Sequence, residues 1–133
     1  MSQDNVEIVR RIYAGWTRGD YQVEASVFDP HVEYRQDFGP DFVEVRGSPA
    51  MARTWGEYLR QWDSLAHGEI DELIDEGDTV VAVSPLRGRG KQSQVTVEVS
   101  DAAVAFVFLD SRIVRVVATD NRRKTLEAVG LLE

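Results

Sequence analysis

Apolar residues recur along the first twenty positions at the spacing of one helical face. Val6, Ile8, Val9, Ile12, Tyr13 and Trp16 form the stripe, with Glu7, Arg10, Arg11 and Arg18 between them; this predicts an amphipathic helix. Asp4 with Glu7 three residues on resembles a capping box, and Gly19 supplies the stop. Asp20 can cap a short second helix, Tyr21–Val27. Asp29-Pro30 then predicts a turn, because proline biases its predecessor away from helical backbone.

The period changes to two at His31–Gln36, where His31, Glu33 and Arg35 alternate with Val32, Tyr34 and Gln36. That is the pattern of a half-buried strand. Gly47-Ser48-Pro49 predicts a third helix, with Ser48 as N-cap and Pro49 at the first helical position. Its stripe is Met51, Trp55, Leu59 and Trp62, with Tyr58 beside it. Strand patterns follow at Glu69–Asp75, Thr79–Arg87, Gln94–Val99, Ala103–Leu109 and Arg112–Thr119, joined by turns such as Glu76-Gly77-Asp78 and Asp110-Ser111. Asn121 can cap a last helix, Arg122–Val129, which Gly130 ends. Helices first and hairpin-linked strands last predict an α+β fold with a mostly antiparallel sheet. Such a sheet curls, and helices across its concave face make a cone with a core at one end and a cavity at the other.

Composition narrows the chemistry. The chain has 133 residues, a formal net charge of −8 and no cysteine. One domain over 1–133 is expected at this length, with no low-complexity tract or linker to divide it. Without cysteine there is no disulfide scaffold, zinc–thiolate site or thiol nucleophile. The acidic balance argues against nucleic acid as a partner, since that affinity comes from Lys and Arg on phosphates. The start MSQDNVEIVRR is polar, with no apolar stretch of signal-peptide type, and Ala102–Leu109 is far short of a membrane span. A cytoplasmic, membrane-free protein is expected.

Five segments, IYAGWTRGD (12–20), FDPHVEY (28–34), LIDEGDTVVAV (73–83), RGRGKQS (87–93) and IVRVVATDNRRKTLEAVGL (113–131), resemble the nuclear transport factor 2-like superfamily. Within it they are most similar to the SnoaL-like branch, which includes polyketide cyclases. The resemblance spans Val6 to Leu131. It implies a cystatin-like cone, wrapped by three N-terminal helices and closed by a short C-terminal one. It also implies a homodimer, which the continuous apolar run Ala102–Leu109 supports by suggesting burial on both faces. The function implied is a small hydrophobic ligand in the cone, handled by cofactor-independent cyclase or isomerase chemistry; the alternative is a non-catalytic binding or dimerisation module.

Residue by residue, one member's mechanism fails. Ketosteroid isomerases of this fold use a tyrosine on the first helix, an aspartate base at the end of the first strand and a protonated aspartate on a later strand. The corresponding positions here are Ile12, Tyr34 and near Val104. In many SnoaL-like members an aspartate leads into the C-terminal helix, where this chain has Asn121 preceded by Asp120. Asp120 and Asp37 are therefore the candidate acid/base groups, with Tyr34 as donor to a developing oxyanion. Each has a plainer reading, Asp37 as a loop residue and Asp120 as an aid to the cap.

Tyr13, Trp16, Trp55, Tyr58 and Trp62 are the candidate ligand-binding wall, a role that competes with ordinary core packing. Arg87 and Arg89 lie on one face of a predicted strand, so Arg89 can clamp an anion inside the cone or sit on an exposed face. His31 lies at a turn and His67 in the predicted Ser64–Gly68 loop, positions from which neither is expected to reach the cavity. No metal-ligand spacing is present, so neither metal nor other cofactor is expected.

Overall fold

In the computed structural model the described residues are 2–21, 25–39 and 41–131. Helix α1 spans Ser2–Thr17, α2 Ser48–Leu59 and α3 Arg122–Ala128, with a 3-10 turn at Ala25–Val27. The strands are β1 (Phe28–Phe38), β2 (Asp41–Arg46), β3 (Trp62–His67), β4 (Glu72–Glu76), β5 (Thr79–Val83), β6 (Leu86–Gly90), β7 (Thr96–Val99), β8 (Ala103–Leu109) and β9 (Arg112–Thr119). Six of them form a sheet in the order β2-β1-β9-β8-β5-β4, and β3-β6-β7 form a second. Among the described residues only the β1–β9 pairing is parallel. The architecture is the α+β arrangement expected from the sequence: a curved, mostly antiparallel sheet carrying helices.

Period-two alternation on β5, β8 and β9 divides the large sheet into two apolar faces. Val80, Ala82, Val104, Phe106, Phe108, Val116 and Ala118 pack with Val9, Ile12, Tyr13 and Trp16 of α1. The intervening Val81, Val83, Ala103, Ala105 and Val117 pack with Leu126 of α3. The continuous apolar run of β8 is thus covered on both faces within one chain.

Several expected boundaries move. The strand expected at His31–Gln36 runs from Phe28 to Phe38 and passes through Pro30. The predicted turn is a bulge in the β1–β9 register between Phe28 and Glu33, where the His31 amide donates to Asp29 Oδ1 at 2.8 Å. Residues 22–24 of the predicted second helix lie outside the described residues, and 25–27 form only the 3-10 turn. Gly47, not Ser48, is the cap of α2; it adopts φ +102°, where a glycine is favoured, and no side chain caps the helix. Thr79–Arg87 is broken at Ser84-Pro85 because proline cannot donate to the ladder, so β5 and β6 join different sheets.

The larger correction concerns Trp62. It lies on β3, not on the third helix, which ends at Leu59. Its ring covers Gly88, where an added Cβ would lie 2.6 Å from the indole. Asn121, in contrast, caps α3 as expected, accepting from the Arg123 and Lys124 amides at 2.8 and 3.3 Å.

Candidate functional site: an uncharged aromatic cavity

The inner face of the sheet does not fill completely. Between it, α1 and α2 lies a cavity of about 530 Å³. Its walls come from α1 (Tyr13, Trp16), α2 (Met51, Trp55, Leu59), β1 (Phe28, Tyr34, Phe38) and inner-face residues including Leu86, Val104, Phe106, Val116 and Ala118. Tyr21, His67, Ser84 and Thr119 add polar atoms. Among the described residues that line it, none is Asp, Glu, Lys or Arg.

The rings form one contiguous surface. Phe38 stacks on Tyr58 with centroids 5.1 Å apart, and Tyr58 on Trp55 at 5.5 Å. Trp55 meets Trp16 at 5.7 Å, and Trp16 meets Tyr13 at 4.8 Å. Such stacked and tilted pairs stiffen a wall that also serves as core. Of the five aromatic candidates, Tyr13, Trp16 and Trp55 line the cavity, and so does Tyr34. Tyr58 and Trp62 do not; Tyr58 backs Trp55, and Trp62 packs edge-on to Tyr58 at 6.0 Å.

The hydroxyl groups are all neutral. Burial pushes the Tyr13 phenol far above its ordinary pKa. Tyr34 is raised likewise, by burial first and by nearby Tyr58 second, and its hydroxyl donates to Gln36 Oε1 at 2.8 Å. Tyr21 is pushed up to about 12 by burial, against a lowering hydrogen bond from the His67 backbone.

The histidine expected to miss the cavity is in it. His67 ends β3, buried, and packs against Trp16 with centroids 4.9 Å apart. Desolvation lowers its pKa to about 4, so the imidazole is neutral. The sequence reading missed it because β3 was hidden: its pairing with β6 shifts register between Trp62 and Ser64, which breaks the alternation. Leu65 and His67, two apart, are the residual strand signal.

The carboxylate candidates lie elsewhere. Lys124 Nζ sits 2.8 Å from Asp120 Oδ1 and 3.4 Å from Asp37 Oδ1, in a partly exposed cluster that ties α3 to β1. The Asp120 hydrogen bond, with the charges of both carboxylates, holds the Lys124 ammonium above its ordinary pKa. Neither aspartate is a lining residue. Asp37 is on β1, not in a loop, and points to the helix side of that strand's end. Arg89 is exposed on β6, on the face it shares with Arg87, which pairs with Glu98 at 3.4 Å. It therefore clamps nothing in the cavity. No three His, Cys, Asp or Glu side chains converge among the described residues.

A curved α+β shell around an aromatic cavity is matched by sequence as well as shape: the SnoaL-like domain matches residues 9–116. The chain belongs to that family. This SnoaL-like domain superposes on an NTF2-like protein of unknown function from Burkholderia pseudomallei with a TM-score of 0.76 at 15% identity, covering 93% of this chain and 95% of that one. It also superposes on a SnoaL-like polyketide cyclase, so described, from Jannaschia sp. (TM-score 0.72, 19% identity, 87% and 84% covered). A third is TerC, co-crystallised with polyporic acid (TM-score 0.71, 17% identity, 96% and 98% covered). These likenesses share the fold. No curated protein matches the sequence significantly.

Proposed function

We propose that this SnoaL-like domain binds a small, flat, uncharged molecule in its aromatic cavity, and that binding rather than carboxylate-driven catalysis is its task. The observation that carries this reading is the lining itself: stacked rings, neutral hydroxyls and, among the described residues, no charged side chain. Rings of this kind bury a planar ligand over a large area, while an anion or cation would lose its hydration with nothing to pair it.

Cofactor-independent acid/base chemistry, the other activity implied by the family, needs a group in the cavity that titrates near neutrality. Tyr13, Tyr34 and Tyr21 are displaced upward and His67 downward. Asp120 and Asp37, the groups proposed from sequence for proton transfer, are engaged by Lys124. The balance favours binding. Fold relatives that include one described as a SnoaL-like polyketide cyclase and TerC, co-crystallised with polyporic acid, are in keeping with a small-molecule ligand.

The test is a thermal-shift and tryptophan-fluorescence screen with naphthalene, anthracene and 2-naphthoate. Saturating neutral ligand at about 100 times its Kd stabilises by about 2.7 kcal/mol, which raises the melting temperature measurably. The neutral hydrocarbons are expected to raise the melting temperature and quench Trp16 and Trp55; 2-naphthoate is expected to do neither. No shift with any of the three would end the reading. A homodimer through the outer sheet face remains part of the proposal. Its support is the charged concavity of Glu33, Arg35, Glu44, Arg46 and Arg115 beside exposed Phe42. The mass in solution by light scattering decides it, a monomer being the contrary result.

A further inference from the structure

An apolar wall holds a flat ligand but does not orient it. Beside the Trp16 Nε1–H donor, buried without a partner among the described residues, one acceptor there is fixed in direction by its neighbours. The Tyr21 hydroxyl has a single proton, and donates it to the Leu65 carbonyl at 2.8 Å. The same oxygen lies 3.1 Å from Nδ1 of His67. With its proton given to Leu65, Tyr21 can only accept from that nitrogen. The imidazole is therefore the Nδ1–H tautomer, and Nε2 carries the lone pair.

The ring has little freedom to do otherwise. Tyr13, Trp16, Tyr21 and Trp55 surround it with centroids 6.1, 4.9, 5.5 and 6.4 Å away. Among the described residues no charged side chain joins the lining that His67 shares with these rings. Burial among them keeps the imidazole neutral, so Nε2 remains an acceptor across the ordinary pH range.

We propose that Nε2 of His67, with its tautomer set by Tyr21, is the orienting acceptor of the cavity, and that the ligand is a neutral planar molecule bearing a hydroxyl, a phenol or an enol. The inference rests on the reading of the cavity as a small-molecule site and names the class of molecule it takes. A hydroxyl donates to Nε2. An ether or ketone oxygen would set lone pair against lone pair, and a bare hydrocarbon would leave Nε2 desolvated without a partner. Tyr21 acts through His67 and is a positioning residue.

Three probes that share the naphthalene ring system separate the possibilities by isothermal titration: 2-naphthol, 2-methoxynaphthalene and naphthalene. One matched hydrogen bond, set against an unsatisfied acceptor, predicts that 2-naphthol binds about tenfold tighter than either of the others. His67→Phe is expected to abolish that preference while naphthalene still binds. Tyr21→Phe is expected to reduce it. Nitrogen-15 NMR of the histidine ring in the unaltered protein reads the same point without a substitution. The free protein should show a protonated Nδ1 and an unprotonated Nε2, and 2-naphthol should shift the Nε2 resonance as a hydrogen bond forms. Equal affinity for all three probes, a preference that survives in His67→Phe, or an Nε2–H tautomer would each overturn the inference while leaving the cavity reading intact. No binding of naphthalene itself would overturn both.

Discussion

The two faces of the large sheet are built from alternate residues of the same strands, and they have been put to different uses. On the outer face Val81, Val83, Ala103, Ala105 and Val117 meet Leu126 of α3, all of them small or aliphatic side chains. The polar groups at that end are also closed off. Thr125 donates to the Ala103 carbonyl at 3.0 Å and lies 2.9 Å from the Thr119 hydroxyl, which in turn engages Asn121. On the inner face Val80, Ala82, Val104, Val116 and Ala118 are just as small, but with Phe106 and Phe108 they face the rings of α1 and α2, and about 530 Å³ stays open. There, among the described residues, neither the Tyr13 hydroxyl nor the second nitrogen of His67 finds a hydrogen-bond partner. The contrast separates stability from recognition. Satisfied groups and small side chains hold the fold, while the proposed ligand would draw on the unspent hydrogen-bonding capacity among the rings.

That separation is breakable in a definite order. Leu126→Ala removes the centre of the outer core and is expected to cost about 2–4 kcal/mol, measured by chemical denaturation. Naphthalene affinity should be unchanged in the same variant; a loss of affinity would show that the two faces are not independent. The next effect belongs to the inner face. The folded-state pKa of His67 is depressed from 6.5 to about 4, so folding favours the neutral ring. Its contribution is fully present above pH 6.5 and is lost as pH falls toward 4, because the unfolded chain takes up the proton first. The loss is at most about 3 kcal/mol. A stability–pH curve should slope in that window and flatten in His67→Gln. An unchanged slope in that variant would remove His67 as its source. The smallest effect is expected at the exposed cluster on α3. Asp120→Asn should change stability by less than about 1 kcal/mol and leave probe binding alone, since partly exposed ion pairs contribute little. A large loss of binding in Asp120→Asn would return a role in the cavity to that carboxylate.

How much of this was legible in the sequence follows from how regular each element is. The stripe of α1, the strands Ala103–Leu109 and Arg112–Thr119 and the cap at Asn121 are local patterns, and each forms as its pattern predicts. The family resemblance read from ordered segments holds for the same reason. What was hidden depends on irregularity. β1 runs through a bulge at Pro30, and β6 turns away from β5 at Ser84-Pro85. The bulge in β3 put Trp62 on the wrong kind of element and left His67 in a presumed loop. Side-chain direction was hidden as well. Trp16 and Trp62 are alike in sequence terms, yet one lines the cavity and the other covers Gly88 because strand geometry aims it there. Asp37 and Asp120 are brought together only by the docking of α3, where Lys124 meets both.

The central claim is that the cavity takes an uncharged planar molecule. Parallel isothermal titrations of the unaltered protein with naphthalene and with 2-naphthoate at neutral pH test it most directly. The account predicts saturable one-to-one binding of naphthalene, with 2-naphthoate weaker by at least about tenfold because no cation among the described lining residues pairs its carboxylate. Equal or tighter binding of 2-naphthoate, or no binding of either, would contradict it.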